Sequence, residues 1–404
     1  VKRLPWVLVL ITLVHGLVDG FGAFVQPLWP DLKRTLHADD GSIQWAYLLW
    51  GLATSVTQLV FGYLGDRHPR GWLIWVGPAV GLVCLSLVGL APNLVSLSVL
   101  LCMGGLGIAA FHPEAAAMAG SSAPEDRSRA MSIFSVGGYL GQAAGPIYSG
   151  VISTQFGLKA LVWSLVWGLP VLALLALGLR QPTQRTRPDR GGAPTGIPIG
   201  QLVHGRLVAL SMILLIGTLR VYPTLGIPLA LSYMLKLRGF SNDNIGIIQS
   251  AFLGGVGVGS LACALFVKVA RERRVMWQVP LLVSPLILSI PWIHPTALFP
   301  TSLASGLLLG ITLPILVSLG QRLMPDGQRI ASSITMGVTW GFGGILIAVT
   351  MAIVNRMGAP GWAFPAFALA CVASSLLCAW LPTAHQDVSV PLTAKDASPA
   401  PSVP

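Results

Sequence analysis

Residues 13–20 read LVHGLVDG, inside a run that is apolar from Pro5 almost to Pro30. His15 and Asp19 are four residues apart and share one face of a helix. An imidazole beside a carboxylate can hold or relay a proton, and a carboxylate in a low dielectric changes protonation with its surroundings. Three more titratable side chains lie deep in apolar runs, His112, Glu114 and Arg220. If such runs cross a bilayer, each mid-membrane charge costs roughly 2.5–3.5 kcal/mol and needs a partner, water or a neutral state. Arg220 stays charged and offers a planar fork to a carboxylate, phosphate or phosphonate. His112 and Glu114 are about 200° apart on an ideal helix and share no face unless Pro113 bends it. Two histidines and two carboxylates also suit a divalent transition ion. The expected difference in depth between Asp19 and Glu114, and the arginine, argue against one compact metal site.

The elements that carry these residues follow from composition. Of 404 residues, 54% are hydrophobic and 10% charged, with a mean hydropathy of +0.74. A soluble domain needs more charge to cover its surface, so lipid is the expected solvent. Twelve runs are long enough to span it, near 5–30, 43–63, 72–91, 94–119, 128–153, 158–179, 207–233, 243–268, 275–293, 296–322, 329–354 and 361–381. They are continuous and lack period-two alternation, which predicts helices and not barrel strands. The first run, after VKRLPW, reads as an uncleaved signal anchor. All five cysteines lie in apolar runs and read as packing residues.

The net charge of +11 raises the question of nucleic acid, but its distribution answers it. Eighteen of 25 Lys and Arg fall on the N-terminus, one set of alternate loops and the tail; six fall on the other set, and Arg220 lies within a span. The positive-inside rule then places both termini in the cytoplasm of a cell with this chain in its inner (plasma) membrane. The expected partners are lipid, protons and a small-molecule substrate and not nucleic acid; no cofactor is expected, and the chain is expected to act as a monomer.

The Pro-, Gly- and Arg-rich stretch within 181–205 separates an N-terminal half, 1–180, from a C-terminal half, 206–382, and 383–404 reads as a disordered tail. A shift of 201 residues overlays the halves: Pro27-Leu28 meets Pro228-Leu229, and Asp19 meets Arg220. Both charges then sit about 20 Å from the cytoplasmic end. This predicts an electrostatic couple across the two halves, with His112 and Glu114 within about 10 Å of that end.

Between spans 2 and 3 stands GYLGDRHPRG (62–71). Span 5 reads SVGGYLGQAAGPIYSG, with Gly137, Gly141 and Gly145 spaced by four before Pro146. Such a stripe lets another helix approach closely, and GGVGVGS (254–260) in span 8 is the expected mate. The 62–71 turn resembles the loop signature of the major facilitator superfamily. FHPEAAAMA (111–119), HGLVDG (15–20), QPLWP (26–30) and FSVGGYLGQAAGP (134–146) resemble that superfamily's fosmidomycin-resistance branch of drug:proton antiporters. The resemblance implies an all-α membrane protein of twelve transmembrane helices in two pseudo-symmetric six-helix halves. Spans 1, 4, 7 and 10 would line a central cavity. It also implies an inner latch at Gly62, Asp66, Arg67 and Arg70, an outer seal by spans 5 and 8, and a place in the cavity for Gln26.

No nucleotide loop, zinc-protease helix or nucleophile motif points to an enzyme. The expectation is a proton-coupled exporter of small drugs or organic anions. Asp19 carries the proton, His15 tunes it, Arg220 is counter-ion and anion contact, and His112 and Glu114 line the inner cavity. Rival readings are organic-anion uptake, divalent-metal export, and a non-transporting receptor or scaffold.

Overall fold

The computed structural model describes residues 5–61, 72–122, 127–179, 207–323 and 334–380. The latch residues Gly62, Asp66, Arg67 and Arg70, the linker 181–205 and the tail 383–404 lie outside them. Among the described residues there are twelve helices of 14 residues or more and no strand. They are α1 Trp6–Ala23, α2 Asp40–Ser55, α3 Leu73–Ser86, α4 Leu94–Ser122, α5 Arg127–Phe156 and α6 Ser164–Leu179. The second set is α7 Leu207–Leu237, α8 Asn242–Phe266, α9 Glu272–Ser289, α10 Pro295–Leu323, α11 Thr339–Arg356 and α12 Ala363–Leu377. Eight of these regions are long and apolar enough to cross a membrane by length and composition. Adding 201 to the first residues of α1, α3, α4 and α6 gives the starts of α7, α9, α10 and α12 to within two residues.

The packing repeats as well. α1 lies on α5 as α7 lies on α11, and α3 on α4 as α9 on α10. Across the halves, α5 packs on α8 and α2 on α11. One face of the bundle holds the start of α1 and the end of α12; the opposite one is called the far face below.

Local chemistry sets the ends. α1 stops at Ala23, where the backbone goes over to tight turns ahead of Pro27, which has no N–H to bond back to Ala23. The chain resumes as a seven-residue helix, Trp29–Thr35, with Pro30 in its first turn. Pro228, which the 201-residue shift places on Pro27, stays inside the longer α7. Asp39 caps α2, its side chain accepting from the backbone N–H of Gly41 and Ser42 and from the Ser42 hydroxyl. Those bonds, the Ser42 hydroxyl first, hold its carboxyl below the ordinary range.

The glycine stripe of α5 corrects the expected mate. A methyl on Gly137, Gly141 or Gly145 would be driven into the backbone oxygens of Thr12, Gly16 and Gly20, far inside van der Waals contact. The stripe therefore seats α1, not α8. In α8, Gly255 and Gly259 face α10 at Leu303 and Leu307, while Gly254 and Gly257 face Ala143 and Tyr139 of α5. The contact between α5 and α8 thus uses a different side of α5 and continues past Pro146, whose oxygen would clash with a Cβ placed on Gly246, to Gly150 against Asn242. Spacing of four announces a smooth surface without saying which neighbour uses it.

At the far face a polar clasp joins the halves. Lys236 Nζ donates to Asp31 Oδ2 at 3.0 Å, and Asn242 Nδ2 donates to the same oxygen at 2.6 Å and to Ser153 Oγ at 3.0 Å. Gln249 Nε2 reaches the backbone oxygen of Gln26 at 3.3 Å, so Gln26 belongs to this neighbourhood. Trp6, Trp45, Trp72 and Trp380 are exposed, as interfacial tryptophans are. Trp29 is fully buried against Tyr47 and Trp50.

Candidate functional site

Asp19 is buried within α1, and three side chains from three helices converge on it. His15 Nε2, one turn back on α1, stands 3.4 Å from Oδ2. His112 Nε2, on α4, stands 3.2 Å from Oδ1. Gln142 Nε2, on α5, donates to Oδ2 at 2.8 Å. The imidazoles meet edge to face with centroids 5.1 Å apart, and His15 stacks on Phe134 at 4.0 Å.

The second nitrogen of each histidine decides the chemistry. His15 Nδ1 lies 2.8 Å from the backbone oxygen of Phe134, and His112 Nδ1 lies 2.8 Å from that of Ile108. A carbonyl only accepts, so each Nδ1 carries a hydrogen. In a neutral ring Nε2 is then a bare lone pair, and here it faces a carboxylate oxygen. Acceptor against acceptor is repulsive, so each contact calls for a proton or another cation between the two atoms. With both contacts protonated the three groups carry a net charge of +1; with one, zero; with none, −1.

Gly138 makes room for this arrangement. A Cβ there would lie 2.5 Å from His15 Cε1, 2.6 Å from its Nε2 and 2.7 Å from Asp19 Oδ2. Sequence patterning alone does not single out Gly138, Gln142 or Phe134. The available signal is an amide, Gln142, standing among small residues in an apolar run.

The structure brings together His15, Asp19 and His112 and separates them from Arg220. The arginine is buried between α7, α9 and the end of α12, where its guanidinium donates to the backbone oxygen and Sδ of Met276 and to Cys378 Sγ. Ile213, Ile216, Ile315 and Leu316 belong to the apolar cluster of Met276 and Cys378. The expected couple with Asp19 is therefore replaced by two histidines. Equal depth under the 201-residue shift says nothing of direction, and direction is what separates the charges.

The expected depth of His112 is corrected too. α4 runs on to Ser122, past the end of its apolar stretch, so His112 sits about 15 Å from that helix end, level with Asp19. Glu114 is half-buried on the same helix and lies outside the His15–Asp19–His112 set.

Comparison with known proteins agrees with this architecture. Residues 8–348 match the family model described as Major Facilitator Superfamily. The chain is 26% identical over 350 residues to the fosmidomycin resistance protein of Escherichia coli (strain K12), covering 86% of each. It is 24% identical over 364 residues to the uncharacterized MFS-type transporter YfnC of Bacillus subtilis (strain 168), covering 87% of each. A bacterial homolog of the human lysosomal transporter Spinster, solved inward-facing and unoccupied, superposes with a TM-score of 0.65 at 16% identity. That match covers 94% of this chain and 95% of the other. With its twelve helices, repeated packing and matched residues, this chain belongs to the Major Facilitator Superfamily and is a membrane transporter, not an enzyme.

Proposed function

We propose that the protein is a proton-coupled secondary transporter that exports small drugs or organic anions across the cytoplasmic membrane. It works as a single chain with both termini in the cytoplasm. One observation carries the reading: a buried carboxylate in mid-helix faces two imidazole nitrogens whose partners leave them needing a proton. The relatives' names, a resistance protein among them, support export of small molecules.

In this reading Asp19 and the two histidines exchange protons, and the net charge of the cluster follows the side to which it is open. The groups in contact with Asp19 are His15 on α1, His112 on α4 and Gln142 on α5; Tyr139 on α5 lies near enough to feel its charge, with its hydroxyl bonded to Ser260 of α8. α3 and α6, which also pack on α1, carry no charged side chain. Glu114 and Gln26 are assigned to the substrate route, and the 62–71 turn to an inner latch. Arg220 is assigned to the packing of the C-terminal half. Proton entry through the cluster drives export as the halves rock about it.

The test is drug efflux from proteoliposomes under an imposed pH gradient, for the parent and for Asp19→Asn. Parent efflux should follow the gradient, and the variant should lose gradient-driven efflux at least tenfold while inserting normally. Efflux that ignores the gradient, or a variant as active as the parent, overturns the reading.

A further inference from the structure

We propose that His15, Asp19 and His112 bind a divalent first-row transition-metal ion, of the Zn, Co or Ni class, in place of the protons. One ligand atom from each residue lies within 4.8 Å of the others. The chemistry is that of two histidines and one carboxylate, a set that holds such ions while leaving coordination positions open. Both objections raised by the sequence fall away. His112, not Glu114, supplies the third group, at the depth of Asp19, and Arg220 is turned into the C-terminal half.

The two histidine–carboxylate contacts have the spacing of metal donors. Two donors each about 2.1 Å from a tetrahedral zinc are about 3.4 Å from one another. His15 Nε2 stands 3.4 Å from Asp19 Oδ2 and His112 Nε2 3.2 Å from Oδ1, and closing the set of three around one ion, from within 4.8 Å, takes a small inward movement of the side chains. The outer groups are also in place. Ligand histidines donate their other nitrogen to a carbonyl or carboxylate, which fixes the tautomer and aims the lone pair at the metal. His15 does so to Phe134 and His112 to Ile108, each at 2.8 Å. Gln142 holds the carboxylate from a third helix, and Gly138 leaves the space that a side chain would fill. With neutral histidines and one carboxylate, a divalent ion gives the cluster a charge of +1, the same as the doubly protonated state. The ion thus mimics the fully loaded cluster.

The proposal rests on reading this cluster as the cation-exchange centre, because it uses the same atoms. It is tested by adding Co²⁺ to purified, untagged full-length protein in detergent and recording the visible spectrum. The expected result is one ion per chain with a d–d band of four- or five-coordinate nitrogen and oxygen ligation and no thiolate charge-transfer band. Affinity should fall at least tenfold in His112→Gln and in Asp19→Asn. No band, or a band unchanged in a His15→Gln/His112→Gln variant, overturns the proposal. X-ray absorption on the zinc-loaded parent needs no variant to fold; it should count two imidazoles, and fewer overturns the assignment. Drug efflux measured with a chelator present separates the two readings. If it ignores the pH gradient while Co²⁺ still binds, proton coupling fails and the metal site stands. Gradient-driven efflux without Co²⁺ binding removes the metal site and leaves proton coupling in place.

Discussion

Gly138 on α5 lies so close beneath Asp19 on α1 that a methyl group added to it would stand 2.7 Å from the carboxylate oxygen Oδ2. Alanine is the better helix former by about 1 kcal/mol, yet here its Cβ would also press on the ring of His15. Gly138→Ala should therefore leave expression and helix content intact and displace the cluster. Efflux should fall on the order of tenfold to 100-fold, the scale of a 1 Å misplacement of reacting groups. Efflux at the parental level in the inserted variant would show that the cluster tolerates the shift.

Gly141 offers a contrast that separates packing from chemistry. Its added Cβ would overlap the backbone oxygen of Gly16, where neither chain can yield without parting the helices. Gly51 on α2 and Gly344 on α11 have nothing within 4 Å. Thermal unfolding in detergent should show Gly141→Ala destabilised by about 1–3 kcal/mol. Gly51→Ala and Gly344→Ala should be neutral or more stable by up to about 1 kcal/mol.

Arg220 is a buried cation held by a carbonyl, a thioether and a thiol, and its Nε has no hydrogen-bond partner. Replacing a whole buried ion pair by apolar side chains is often neutral or stabilising by about 1–4 kcal/mol, and the groups that hold Arg220 are neutral, so removing the arginine strands no counter-charge there. Arg220→Met should match or exceed the parent in thermal stability and keep gradient-driven efflux. Abolished efflux in a stable Arg220→Met protein would return the arginine to the transport route.

The Lys236–Asp31 pair ties the ends of the halves at the far face. Its loss should favour separation of the halves there by on the order of 1 kcal/mol, the usual coupling between neighbouring charges. Spin labels on exposed far-face sites of the two halves should show a longer distance in Asp31→Asn or Lys236→Met. The exchanged pair Asp31→Lys/Lys236→Asp should move back toward the parent. Distances identical in all four proteins would show that the clasp bears no load.

The twelve helices are legible in the sequence because each apolar run is continuous and most end at Pro, Gly or charge. His15 and Asp19 are legible for a related reason: their spacing equals one helical turn, and the contact is local. What escapes is every choice of neighbour. His112 reaches Asp19 because α4 outlasts its apolar stretch, and hydropathy does not register a helix that continues through Gly120, Ser121 and Ser122. The glycines of α5 are visible as a surface, but α1 and α8 are equally smooth to a pattern of period four. The repeat puts Arg220 at the right depth and leaves its direction open, because its acceptors, Met276 and Cys378, lie 56 and 158 residues further on.

The two sides of α5 have different employers. Along one it is pressed, backbone against backbone, to the helix that bears Asp19; along the other it leans on α8 from the opposite half. At the first seam the glycines leave few side-chain atoms between the two backbones, so α5 can shift little against α1 without parting from it. The same helix thus touches both the cluster and the joint between the halves.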